Sequence, residues 1–194
     1  MLEKLLKWDR DTFIYFNGLG VEEYDFFWST ITNITTWIPL FLLLIVLLIL
    51  KFPKKEAFYK LITIFGLVFF IIIVTHLTKT WVGRLRPNNT EEINTLIRIL
   101  KSPTDYSFFS GHAASSFSIT VLVFLFLRKK VRWLVLFFIW PLLFAISRIY
   151  VGVHYPLDII VGALVGILTG LLFYKLYNRF ILPYSESIHP SPEE

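Results

Sequence analysis

Apolar residues run almost unbroken through five stretches of the 194-residue chain, at 28–50, 57–78, 110–127, 131–147 and 156–177. A helix that crosses a bilayer needs about 20 largely apolar residues, and backbone inside hydrocarbon has to bond to itself. The pattern therefore predicts five membrane-spanning helices. The third and fourth are the shortest and carry Ser115, Ser116, Ser118 and Pro141, the last at a point where a helix is expected to kink. Ahead of the first span, residues 1–17 intersperse charges among apolar positions, which a cleavable signal peptide does not do. Leu2, Leu5, Leu6, Trp8, Phe13 and Phe16 give that stretch one greasy side, as expected of an interfacial helix within a segment 1–27. A reentrant N-terminal segment would add a sixth crossing.

No internal repeat or linker interrupts the pattern. The expectation is an all-α integral membrane helical bundle of five or six transmembrane helices with an N-terminal interfacial helix, one domain over 1–194, ending in a disordered cytoplasmic tail 183–194. Composition agrees: 56% hydrophobic and 18% aromatic residues are too many for a soluble domain of this length. The absence of cysteine excludes disulfides and thiolate metal sites. A net charge of +5 in a membrane protein reports topology and anionic headgroups, so no nucleic acid is expected as a partner.

Loop charges give an orientation. Lys51, Lys54, Lys55 and Lys60 in the first connection, and Arg128, Lys129, Lys130 and Arg132 in the third, predict that both are cytoplasmic. Lys175 and Arg179 after the fifth span agree. Residues 81–109 and 148–155 then fall outside, although Arg84, Arg86, Arg98 and Lys101 in the former oppose this unless they have another task.

Ionisable groups at the ends of membrane helices cost free energy unless satisfied or useful. Three clusters of them share the predicted outer face: 79–87 (KTWVGRLRP), 106–112 (YSFFSGH) and 147–158 (SRIYVGVHYPLD). Lys79, Arg86, Arg148 and His154 are placed to converge with His112 on one small anion, and phosphate fits, because arginine forks match its oxygens and lysine adds a point charge. Seven residues separate Lys79 from Arg86, so a helix continuing through Trp81 puts both on one side. Ser110 and Gly111 stand at a helix start, where backbone N–H groups bind anions. Asp158, one turn after His154, is expected to orient its ring and free the other nitrogen to attack. Taken singly, cations and histidines at span ends are more often interfacial anchors, and Arg84 and His76 are left in that class. His189, in the tail, is read as solvated.

These residues resemble the signature of the type 2 phosphatidic acid phosphatase superfamily, Lys-x6-Arg-Pro, Pro-Ser-Gly-His and Ser-Arg-x5-His-x3-Asp. Lys79 with Arg86-Pro87 fits the first part, and Ser147-Arg148, His154 and Asp158 fit the third. In the second, Phe109 replaces proline while Ser110, Gly111 and His112 remain. The resemblance implies a helical membrane hydrolase in which His154 attacks phosphorus to form a phosphohistidine, oriented by Asp158. It further implies that His112 protonates the leaving oxygen and then activates water, and that Lys79, Arg86, Ser110, Gly111 and Arg148 hold the phosphate. No metal or other cofactor is implied.

The expected partner is a membrane lipid phosphate, in a bacterial inner membrane with the site facing the periplasm. Undecaprenyl diphosphate is the first expectation. Lipid A, phosphatidylglycerophosphate and phosphatidic acid are alternatives, as are lipid phosphotransfer and a non-enzymatic lipid carrier. Asn88, Asn89, Glu91, Glu92 and Lys101 are read either as a gate for the headgroup or as plain loop.

Overall fold

A chain this apolar must satisfy its backbone internally, and the described residues form helices and no strand. The computed structural model describes residues 1–183, so the expected tail, His189 included, lies outside the described residues except for Pro183. Seven α-helices follow one another: α1 (Leu2–Gly18), α2 (Asp25–Ile31), α3 (Ile38–Lys51), α4 (Lys54–Val82), α5 (Gly111–Leu127), α6 (Ile139–Tyr150) and α7 (Pro156–Leu176). Counting adjoining 3-10 and π turns, four segments are long and apolar enough to cross a membrane: Ile34–Lys51, Lys54–Asn89, Arg132–Tyr150 and Pro156–Ile181. The 17-residue α5 is the shorter apolar fifth, about 25 Å long.

Details of the predicted spans change. The first stretch is broken between α2 and α3, where Thr36 Oγ1 and Trp37 Nε1 donate to the carbonyls of Thr30 and Ile31 at 2.7 and 2.9 Å. Pro141 falls in the first turn of α6, which begins at Ile139 after a 3-10 stretch over Arg132–Phe138, and proline is tolerated there. Lys60 is not a loop charge. It lies buried within α4, bonded to Glu56 and the Tyr177 hydroxyl at 3.1 Å each and ringed by Phe52, Phe126 and Tyr177.

The main apolar core gathers around α5, with Leu44 and Leu48 of α3, Leu67 of α4, Leu122 and Leu127 of α5, and Leu134 and Phe137 ahead of α6, while α5 and α7 pack through small residues that let two backbones approach. A Cβ at Gly162, Gly166 or Gly170 of α7 would stand 2.6, 2.4 or 2.9 Å from the carbonyl oxygens of Ser110, Ala114 and Ser118. This packing brings the first turn of α7 to the start of α5, and the Ser110 amide donates to the Asp158 carbonyl at 2.9 Å. On α1 the greasy side is exposed as expected, except Phe13, which packs edge-on against Tyr155. Phe13 shares that side, at four-residue spacing, with two buried polar residues: Asp9 and Asn17 have no exposure. Asn17 Nδ2 donates to the carbonyls of Arg98, Ile149 and Tyr150, clamping α1 across the end of the bundle.

Candidate active site

Three chain segments meet at one end of the bundle. The first follows α4, which stops at Gly83 in a left-handed conformation (φ +64°), its amide closing on the Lys79 carbonyl at 2.9 Å. Arg86 therefore lies on extended chain, and helical spacing is not what brings it to Lys79. Asp105 does so instead. Lys79 Nζ stands 2.5 Å from Asp105 Oδ2 and Arg86 Nη2 2.9 Å from Oδ1, while Arg86 Nε donates to the Asp105 carbonyl at 2.9 Å. Partial burial pushes the Asp105 carboxyl up, but the Lys79 hydrogen bond and the Arg86 charge outweigh it and hold it below its ordinary value.

The second segment joins α6 to α7. Val151, Gly152 and Val153 fold their amides onto the carbonyls of Ser147, Ile149 and Arg148. Gly152 needs its φ of +83°, and a Cβ there would meet the Arg98 carbonyl at 2.5 Å. At the far end Asp158 Oδ2 accepts the Tyr155 amide at 3.0 Å, capping α7. His154 is thereby fixed with no exposure, Nε2 3.0 Å from Arg86 Nη1 and Nδ1 3.4 Å from Asp158 Oδ2. A guanidinium only donates, so the network assigns Nε2 as the acceptor and the ring proton to Nδ1. Burial first, then the charges of Arg86, Arg148 and Lys79, hold His154 well below its ordinary value and keep the ring neutral at pH 7.

The third segment is the start of α5. Ser110 is its N-cap, with Oγ accepting the Ala113 amide at 3.4 Å. Because the Ser110 amide is given to Asp158, the anion-binding amides left in this turn are those of Gly111 and His112. Any side chain at Gly111 would press on Thr75 Cγ2 at 3.0 Å. The His112 ring packs against Phe144 at 4.9 Å between centroids and lies within electrostatic range of Arg148, His154, Arg86 and Lys79. Arg148 is buried, donates from Nη1 to Thr32 Oγ1, and leaves Nε without a partner among the described residues. A cavity of about 260 Å³ opens between α4 and α5, lined by Ile71, Ile72, Thr75, His76 and Ser115, with Lys79 and Asp105 at its polar end.

All eight sequence-predicted residues thus gather at one end, and four more belong with them. Ser107 Oγ donates to Asp158 Oδ2 and lies 3.3 Å from His154 Nδ1. Arg84 is no loose anchor, since it joins Asp158 to Asp9. Asp105 and Thr32 complete the set. Of the loop residues weighed as a gate or plain loop, Glu92 pairs with Arg10 at 2.9 Å, Lys101 with Asn33 at 3.2 Å, and Asn88 and Asn89 with the Pro103 carbonyl, while Glu91 is exposed.

Known proteins resemble this chain along most of its length. A "Lipid A 4'-phosphatase" of Bacteroides thetaiotaomicron is 32% identical over 184 residues, covering 92% of this chain and 81% of that protein. An "Undecaprenyl-diphosphatase" of Sulfolobus acidocaldarius is 37% identical over 132 residues, 67% of this chain and 58% of that one. The crystal structure of a PAP2-type phosphatidylglycerolphosphate phosphatase from Bacillus subtilis shares the fold, with a TM-score of 0.72 at 18% identity over 91% of this chain and 88% of that one. Fold, site and relatives together define a membrane-embedded phosphatase, a hydrolase of lipid phosphates. The chain belongs to the PAP2 superfamily, whose family model matches residues 59–182, more than half its length, as the three motifs implied.

Proposed function

We propose that the protein removes phosphate from a lipid at the outer face of a bacterial inner membrane through a phosphohistidine on His154. The posture of His154 carries this reading. Its ring is neutral, buried, presents Nε2 toward Arg86 and turns Nδ1 to Asp158. Nε2 attacks phosphorus and the P–O bond to the lipid breaks, with His112 giving its proton to the departing oxygen. Lys79, Arg86, Arg148 and the first amides of α5 take up the charge on the phosphoryl oxygens. Water, activated by His112, then attacks phosphorus, the P–N bond breaks, and inorganic phosphate leaves.

For the lipid we propose a phosphate of lipid A, because the Bacteroides lipid A 4'-phosphatase resembles this chain over nine tenths of its length. Undecaprenyl diphosphate, the first expectation from sequence, is the second reading, supported by the more identical but shorter match to the Sulfolobus undecaprenyl-diphosphatase. The test is phosphate release by purified protein in detergent with excess EDTA, on lipid A, undecaprenyl diphosphate, phosphatidylglycerophosphate and phosphatidic acid. Lipid A is expected to turn over fastest, and His154→Ala and His112→Ala to lose nearly all release while staying folded. Hydrolysis that survives His154→Ala would sink the mechanism, and a new phosphorylated lipid without free phosphate would replace hydrolysis by transfer.

A further inference from the structure

We propose that Asp9 and Arg84 are positioning residues for Asp158, making α1 a working part of the catalytic centre; this rests on the reading of His154 as nucleophile. Asp9 and Asp158 are both wholly buried, and one guanidinium joins them: Arg84 Nη2 donates to Asp9 Oδ2 at 2.6 Å and Nη1 to Asp158 Oδ1 at 2.8 Å. The guanidinium lies 4.0 Å over the Tyr155 ring, and Asp9 Oδ1 accepts the Leu157 amide at 2.8 Å. Each oxygen of Asp158 then has a fixed task. Oδ1 belongs to Arg84, while Oδ2 holds the Tyr155 amide and Ser107 and faces His154 Nδ1.

Two acids on one arginine have a consequence for charge. A buried carboxylate needs a cationic partner to stay ionised, and Arg84 supplies it. Arg84 alone, however, would leave the pair neutral, just where the ring of His154 gains positive charge as Nε2 bonds to phosphorus. Asp9 restores one net negative charge to the trio, so Asp158 can hold the Nδ1 proton of the charged ring. Both act through Asp158: Asp9 is wholly buried, and Arg84 spends Nη1 and Nη2 on the two carboxylates. Their effect therefore falls on the rate of phosphoryl transfer and not on substrate binding.

The experiment compares Asp9→Asn, Asp9→Glu, Arg84→Lys and His154→Ala as full-length purified proteins, with dioctanoyl phosphatidic acid in detergent as the probe. It reads kcat, KM and the thermal midpoint. Asp9→Asn keeps an acceptor for the Leu157 amide while removing the charge, and is expected to lower kcat about 10- to 100-fold, as loss of an outer supporting carboxylate does elsewhere. KM should stay within about twofold, the pattern of an effect made only in the transition state. Asp9→Glu should recover part of kcat, and Arg84→Lys, whose single ammonium reaches only one carboxylate, should lose kcat at unchanged KM. Should Asp9→Asn fail to fold, Arg84→Lys carries the same test. Full kcat in either folded variant, or a loss that only follows the folded fraction, overturns the proposal. If His154→Ala keeps the wild-type rate, the phosphohistidine reading itself has failed; if it is inactive while Asp9→Asn is fully active, only the positioning role has.

Discussion

Arg86→Lys keeps a positive charge and removes a shape, so it asks what seats the phosphate. Arg86 is 4% exposed and spends its donors in four directions, to the Asp105 carbonyl, Asp105 Oδ1, the Val153 carbonyl and His154 Nε2, all at 2.9–3.0 Å. An ammonium is a single point with three donors and cannot serve oxygens on both sides of the ring nitrogen. At least one charge-assisted bond is lost, worth about 1.5–3 kcal/mol. The fork that would meet the transferring phosphoryl group is lost too, and removing one such donor costs about 2.7–4 kcal/mol, or about 10²–10³ in kcat. The retained charge offsets part of this, so kcat should fall about 100-fold, near the lower end of that range. The assay is initial phosphate release from a detergent-dispersed lipid phosphate, with thermal unfolding to confirm that the variant is folded. A folded Arg86→Lys protein within about threefold of wild type would refute the argument, since charge alone would then suffice.

Other outcomes follow from the same geometry. Ser107→Ala removes the hydroxyl that Asp158 Oδ2 and His154 Nδ1 share; kcat should fall about tenfold, the equivalent of one ordinary hydrogen bond, with KM unchanged in steady-state kinetics. Gly166→Ala forces a methyl group to within 2.4 Å of the Ala114 carbonyl and should destabilise by about 1–3 kcal/mol, read as a lower thermal midpoint. Gly18→Ala, with open space around it, should not shift that midpoint downward. For pH, the folded His154 lies below its ordinary value of 6.5, so the unfolded chain takes up this proton first. Stability from this group is fully present above 6.5 and is lost as pH falls from there toward the lower folded value. kcat should hold its plateau to below 6.5 on the acid side, and a half-loss at or above 6.5 that persists across substrates would show that the ring is not shielded.

The spans and the eight motif residues were legible because their signals are local: apolar runs set the helices, and fixed spacings within 79–87, 110–112 and 147–158 set the chemistry. The supporting residues were not, because each acquires meaning from a partner far along the chain. Arg84 is 75 residues from Asp9 and 74 from Asp158, and an arginine closing a membrane helix reads locally as an anchor. Asp105 and Ser107 flank the second motif closely, yet nothing in their neighbours says that one will bridge two cations and the other an acid and a ring. Lys79 and Arg86 were brought together for the wrong reason, since Gly83 ends the helix that was to carry both. One signal was available on α1. Asp9, Phe13 and Asn17 recur at four-residue spacing, which sets two polar residues within the greasy side of the helix, and polar residues on an apolar stripe mark a docking face.

The partners of the basic residues in 81–109 also bear on orientation. Arg84, Arg86, Arg98 and Lys101 opposed an outer location for this segment, but each is engaged within the fold, by Asp9 and Asp158, by Asp105, by Asp25 at 2.6 Å and by Asn33. Charges bound into structure are poor reporters of topology. Arg128 and Lys129, by contrast, are exposed in the tight turn after α5 and remain to set it. The chain contains no cysteine, so single-cysteine variants start from a silent background. Lys129→Cys should resist a membrane-impermeant maleimide in intact cells and react after permeabilisation, whereas Asn89→Cys, on the loop beside the site, should react in both. The reverse pattern would place His154 on the cytoplasmic side, where an outer-leaflet lipid phosphate could not reach it.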